Sequence, residues 1–198
     1  IEFKLLTMFS IKLKSPPYKN IKFLFGQGTT QSLIKDLKEE KYDMVFCSLV
    51  DDEPDIEFIP IANEELVVIV SNEHPLAKNE FIDLSEVGNY PFIGFSEKSG
   101  IRSLISDLFK EVDINPNIIC EVEEDNAVAG LVEINYGIAV VPKISSLKYY
   151  NVKVLPIINP KHERFIYLAT LKNRYLTPSV NLFKKYSIEY GKNNFLNK

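Results

Sequence analysis

Apolar residues recur along this chain in two alternating spacings. Short, almost wholly apolar runs at residues 21–25 (IKFLF), 42–47 (YDMVFC), 65–71 (ELVVIVS), 91–96 (PFIGFS), 118–122 (IICEV), 138–141 (IAVV), 152–157 (VKVLPI) and 165–171 (FIYLATL) predict strands, most of them buried. Between them the apolar positions widen to helical spacing. Leu33, Ile34 and Leu37 form one such stripe; Ile101, Leu104, Ile105, Leu108, Phe109 and Val112 form the clearest; Val128, Leu131, Val132 and Ile134 a third; Val180, Phe183 and Tyr186 a sparse fourth. Residues able to cap these helices precede them: Thr29 or Thr30, Ser96 or Ser99, Asp125 or Asn126, and Thr177 followed by Pro178 at the first helical position.

The order of these elements predicts an α/β protein. Residues 21–47 read as a strand–helix–strand unit, expected to be parallel and right-handed. A short apolar run at residues 58–61 and the strand at 65–71 extend that sheet. The polar stretch SNEHPLAKNE, residues 71–80, then breaks the alternation at Pro75 and reads as a crossover into a second strand–helix–strand set. Two such sets joined by crossovers predict two lobes, and ligands commonly bind in a cleft between lobes.

Composition narrows the class without naming a function. The chain has 198 residues, 45% of them hydrophobic and 25% charged, as in an ordinary folded domain. A net charge of -4 argues against a broad surface for nucleic-acid backbone, which needs clustered Lys and Arg. No apolar run reaches the roughly 18–20 residues needed to cross a bilayer, and the start of the sequence carries no export signal. Cys47 and Cys120 lie far apart in apolar runs, which suits reduced, buried thiols.

Four stretches, in order, resemble the effector-binding domain of LysR-type transcriptional regulators: GQGTTQSLIKDLKEEKYDMVFCS, ELVVIVSNEHPLA, GLVEINYGIAVVP and FIYLATLKNRYLTPSVNLF. The resemblance covers nearly the whole chain. It implies a type 2 periplasmic-binding-protein fold: two Rossmann-like lobes with mixed sheets, lobe I being residues 1–70 and 170–198 and lobe II residues 71–169, joined near Ser71 and Thr170. It also implies a small, anionic effector in the cleft, a cytoplasmic homodimer or tetramer, and DNA binding only through a helix-turn-helix that this sequence does not contain. Residues 3–14 resemble the first helix of lobe I, while alternation at Phe9, Ile11 and Leu13 permits a strand.

Two helix N-termini facing one cleft would suit an anion, because each presents unpaired N–H groups and the positive end of the helix dipole. By resemblance, the cleft-lining positions are Gly28, Thr29, Thr30, Ser48, Ser96, Ser99, Gly100, Ile101, Asn126 and Pro142. Capping alone would also explain the Thr and Ser among them. Catalysis is not expected. GFSEKSG puts Ser96 at a strand-to-helix turn, yet a nucleophile elbow needs Gly where Lys98 stands, and neither His74 nor His162 has an evident partner. GQGTT lacks the endings of nucleotide fingerprints, so its glycines need only a tight turn. No cofactor is expected, and no Cys or His pair has metal-ligand spacing. The acidic run at residues 51–55 reads as a solvated loop, and Tyr149 and Tyr150 as residues packing on strands or a subunit interface. A transporter's solute-binding protein, which shares the two-lobed plan, is the alternative.

Overall fold

The computed structural model describes residues 22–97 and 99–196, so the candidate helix or strand at residues 3–14 lies outside it. The chain divides into two units, one comprising Ile1–Asn63 and Phe165–Lys198, the other Glu64–Arg164.

In the first unit, helix α1 (Thr30–Lys38) precedes strands β1 (Val45–Cys47) and β2 (Ile56–Asn63); the chain returns as β9 (Phe165–Leu171) and helix α4 (Pro178–Gly191). The sheet order is β1-β9-β2, and both β1 and β2 run antiparallel to β9. Period-two alternation gives β9 two buried faces. Ile166 and Leu168 cluster with Phe183 of α4, whereas Ala169 and Leu171 lie with Leu33, Ile34 and Leu37 of α1.

The expected parallel strand–helix–strand unit at residues 21–47 is therefore not what forms. No strand occurs at residues 22–25, and β1 takes its hydrogen bonds from antiparallel β9. Phe23 instead stacks on Phe25 and sets its ring edge-on to Phe183 at 5.1 Å, while Leu24 is 80% exposed. The apolar run is an aromatic anchor, and apolarity alone does not distinguish an anchor from a strand.

The second unit holds β3 (Leu66–Ser71), β4 (Ile82–Asp83), β5 (Pro91–Phe95), helix α2 (Arg102–Glu111), β6 (Asn117–Val122), helix α3 (Asp125–Glu133), β7 (Ala139–Pro142) and β8 (Val152–Asn159). Strand β3 is buried along its whole length between β8 and β7. Strands β5 and β6 pair in parallel across α2, and a parallel bridge from Phe92 to Ile138 ties β5 to the strand β7. Helix α2 buries Ile105, Leu108 and Phe109, and α3 buries Val128, Ala129 and Val132, in one core with β3.

Two boundaries differ from the sequence reading. Residues 71–80 do not pass between units: Leu76 and His74 are buried in the second unit around a short 3-10 turn at Pro75–Lys78. The crossings fall earlier than Ser71 and Thr170, between 63 and 64 and between 164 and 165. The cause is pairing, since all of β3 bonds to β7 and β8 and all of β9 to β1 and β2.

Helix α4 approaches β2 closely through Gly191, where an added Cβ would stand 2.4 Å from the carbonyl oxygen of Ile61. Gly191→Ala must push α4 off β2, and the expected cost is about 1–3 kcal/mol in chemical denaturation.

Candidate functional site

The sequence-predicted residues fall on two edges, one in each unit. In the first unit, Thr29 is the N-cap of α1: its Oγ1 accepts from the Ser32 amide at 3.3 Å. Thr30 opens the helix, and Ser48 follows β1 directly. Gly28 lies close under the cap, where a Cβ would stand 2.3 Å from Ser32 Oγ and would have to turn that hydroxyl aside. Arg174 fixes the other end of α1, donating to the Tyr42 carbonyl at 2.8 Å and pairing with Asp43 at 3.2 Å. A clamp there holds the turn leading into β1.

In the second unit the remaining candidates gather at the carboxyl ends of β5, β6 and β7, the side on which open α/β sheets bind ligands. Ser96 follows β5, and its amide donates to the Val122 carbonyl at 3.0 Å, joining the ends of β5 and β6. Ser99 and Gly100 make the turn into α2, with the Ser99 amide donating to the Ser96 carbonyl at 3.0 Å. Pro142 ends β7, and Asn126, in the first turn of α3, accepts from Ser146 Oγ at 3.1 Å.

The caps differ from expectation. Neither Ser96 nor Ser99 caps α2, whose N-cap is Ile101, and neither Asp125 nor Asn126 caps α3, whose N-cap is Glu124; neither helix receives a side-chain cap. Both therefore begin with amides that no side chain satisfies. Ser96 Oγ is buried and has no hydrogen-bond partner among the described residues. Among the described residues nothing positions a base on it. Asp125 opens α3 instead of capping it, and burial raises its carboxyl above its ordinary value. Arg102 was missed by the sequence reading. Its Nη1 donates to the Phe95 carbonyl at 2.6 Å and pairs with Glu121 at 2.8 Å. A lone Arg two residues after a Ser-Gly turn carries no periodic signal that could have marked it.

The other chemically capable groups have structural roles. His74 is buried, accepts from the Leu76 amide at 3.2 Å through Nδ1, and lies edge-on to Tyr90. His162 Nε2 accepts from the Leu66 amide at 3.2 Å. Burial pushes the Cys47 thiol up to about 12, so it is inert; Cys120 is half-buried, and both are free. In the acidic loop, Glu53 pairs with Lys38 and the Pro54 carbonyl accepts from Lys172. Tyr149 is exposed beneath Lys148, while Tyr150 packs on the core. Among the described residues no group of His, Cys, Asp and Glu could hold a metal ion, and no helix is long and apolar enough to cross a membrane.

Comparison with known proteins interprets this arrangement. Residues 17–191 match the model of the LysR substrate binding domain. The chain belongs to that family. A HTH-type transcriptional regulator of Bacillus subtilis, YybE, is 33% identical over 173 residues, 87% of this LysR-type chain and 59% of the relative. The transcriptional dual regulator GltC, also of Bacillus subtilis, is 28% identical over 177 residues, again 87% of this chain and 59% of the relative. This chain thus spans about 59% of the curated relatives' length. The effector binding domain of QuiR in complex with shikimate is 53% identical and superposes with a TM-score of 0.91, covering 97% of this chain and 90% of that one. The regulatory domain of Synechocystis PCC6803 CcmR, solved with 2-PG, shares the fold at 22% identity and a TM-score of 0.83, over 96% of this chain and 91% of that one. The resemblance read from the four sequence stretches and the type 2 periplasmic-binding-protein fold are both borne out; this is a LysR effector-binding domain, and the regulator relatives count against the transporter alternative.

Two outcomes follow from the buried groups. Burial lowers the His74 pKa below its ordinary value of 6.5, so the unfolded chain protonates first as pH falls. Stability should decline below about pH 6.5 in urea melts. His74→Asn, whose side-chain oxygen can still accept from Leu76, should flatten that decline. Ser96→Ala removes a buried hydroxyl without a partner and should stabilise the ligand-free domain by on the order of 1 kcal/mol, read as a rise in thermal midpoint.

Proposed function

We propose that this chain senses a small hydroxylated ring carboxylate of the shikimate class through the candidate residues described above. The observation that carries this reading is the 53% identity and 0.91 TM-score to a domain solved with shikimate. The edges suit such a ligand. Uncapped starts of α2 and α3 offer amide donors for a carboxylate, and Thr29, Ser48, Ser96 and Asn126 offer partners for hydroxyls. Gly28, Thr30, Ser99, Gly100, Ile101 and Pro142 shape the turns that present them.

Binding alters the relative pose of the two units, and the ligand must prefer one pose to shift the population. In the whole regulator, a cytoplasmic homodimer or tetramer would convert that shift into a changed spacing of helix-turn-helix domains on DNA. No turnover is required of the ligand.

Calorimetry of the 198-residue chain with shikimate tests this. Saturable binding is expected, weakened roughly tenfold or more in Thr29→Val and within about threefold in Thr29→Ser, which keeps both the hydroxyl and the cap. No heat and no thermal stabilisation at millimolar shikimate would overturn the ligand class. Unchanged affinity in Thr29→Val would remove Thr29 from the site.

A further inference from the structure

The second unit has a concave feature that the effector edge does not use. Helix α2, the turn at residues 114–116 and strands β5 and β6 surround an open cavity of about 150 Å³. Its floor is apolar, with Phe92, Phe95, Ile105 and Ile118 prominent, and its charged residues, Arg102 and Lys110, are both cations. None of the ten residues expected at the effector site lines it. An enclosed apolar cavity of about 150 Å³ holds one benzene ring, and this open one bounds a ligand of similar size.

Arg102 is held ready for an anion. Its Nη1 is fixed by the Phe95 carbonyl at 2.6 Å and by Glu121 at 2.8 Å, whereas Nε and Nη2 have no partner among the described residues. A guanidinium pinned by one nitrogen keeps two donors for a carboxylate without losing further side-chain freedom. Gly94 keeps the neighbouring space open, because a Cβ there would stand 3.0 Å from Arg102 Nη1 and 3.5 Å from Ile118. Lys110 pairs only with Asp107, at 2.8 Å, with both side chains largely exposed. Such a pair is weak and can share its ammonium.

We propose that this cavity is a second small-molecule site, selective for one unhydroxylated six-membered ring bearing a carboxylate. The ring lies on the apolar floor and the carboxylate meets Arg102, with Lys110 adding long-range attraction. Ring hydroxyls facing Phe92, Ile105 and Ile118 would lose water and gain no partner from them, and the uncharged polar side chains of the lining are Ser106 and Asn115. Burial of so small a ring sets the affinity at roughly micromolar to millimolar. The inference shares α2 with the shikimate reading, which uses backbone amides at that helix's start, but it takes its contacts from the side chains that line the cavity.

Fluorine NMR of 4-fluorobenzoate with the 198-residue chain is the test. The expected result is saturable line broadening that persists in excess shikimate and in Thr29→Val, and that weakens roughly tenfold or more in Arg102→Gln. Lys110→Glu, on the exposed face of α2, should weaken it several-fold, and it keeps the test valid if Arg102→Gln fails to fold. Any of three results overturns the proposal: no saturable broadening, loss of binding in Thr29→Val, or binding indifferent to both cation substitutions.

Discussion

Strand β9 bonds to β1 on one side and β2 on the other, and those two do not bond to each other. Among the described residues the first unit therefore has no sheet until residues 165–171 arrive, after the whole second unit. Closing so long a loop would be costly for a flexible chain, but the second unit is a folded insert whose two ends meet. The Glu64 amide donates to the Arg164 carbonyl at 2.7 Å, and the two side chains form an ion pair with only 13% and 10% of their surface exposed. Burial lowers the Arg164 guanidinium to about 10. A buried pair of this kind contributes little net stability against an apolar substitute, yet removing one partner strands the other charge. Its value here is positional, because it holds together the two points where the chain enters and leaves the insert.

That path explains why the candidate residues are so scattered in sequence. One edge comes from residues 28–48, before the insert; the other comes from three strand ends inside it. Within the insert, parallel pairing of β5 and β6 and the bridge to β7 set three carboxyl ends side by side, so Ser96, Asn126 and Pro142 share an edge despite their separation. The turns are short, and each passes directly into a helix or out of a strand. Rigid neighbours thus position residues that have few contacts of their own.

The sequence reveals most where one face decides the outcome. The stripes Leu33, Ile34, Leu37 and Ile105, Leu108, Phe109 are buried as their spacing predicts, and Thr177 with Pro178 starts α4 as read. Strand partners are less legible, because an apolar run states that it is buried and not against what. Hence residues 22–25 read as a strand, β1 seemed parallel, and β3 was divided from the unit it belongs to. Ile134 continued a helical stripe on paper, but α3 ends at Glu133 and leaves it 71% exposed. Of the candidate site, the turns were legible from their Thr, Ser and Gly. The state of Ser96 and the fixed pose of Arg102 were not, since both depend on carbonyls and carboxylates contributed by other elements.

The two edges also differ energetically, and the difference follows from capping. Helices α1 and α4 in the first unit carry threonine caps, each worth about 0.5–2 kcal/mol, whereas α2 and α3 in the second start without one. Ser96 adds a buried hydroxyl with no partner, and Asp125 a carboxyl whose charged form burial disfavours. Each of these features costs stability, and the first unit has one of its own in Ser187 Oγ, which is buried without a hydrogen-bond partner among the described residues. Chains selected for folding alone would satisfy these groups locally, as the first unit does at Thr29 and Ser32. A ligand whose oxygens met the uncapped amides of α2 and α3 and the Ser96 hydroxyl would recover stability on binding, which is the thermodynamic requirement for an effector that favours one arrangement over another.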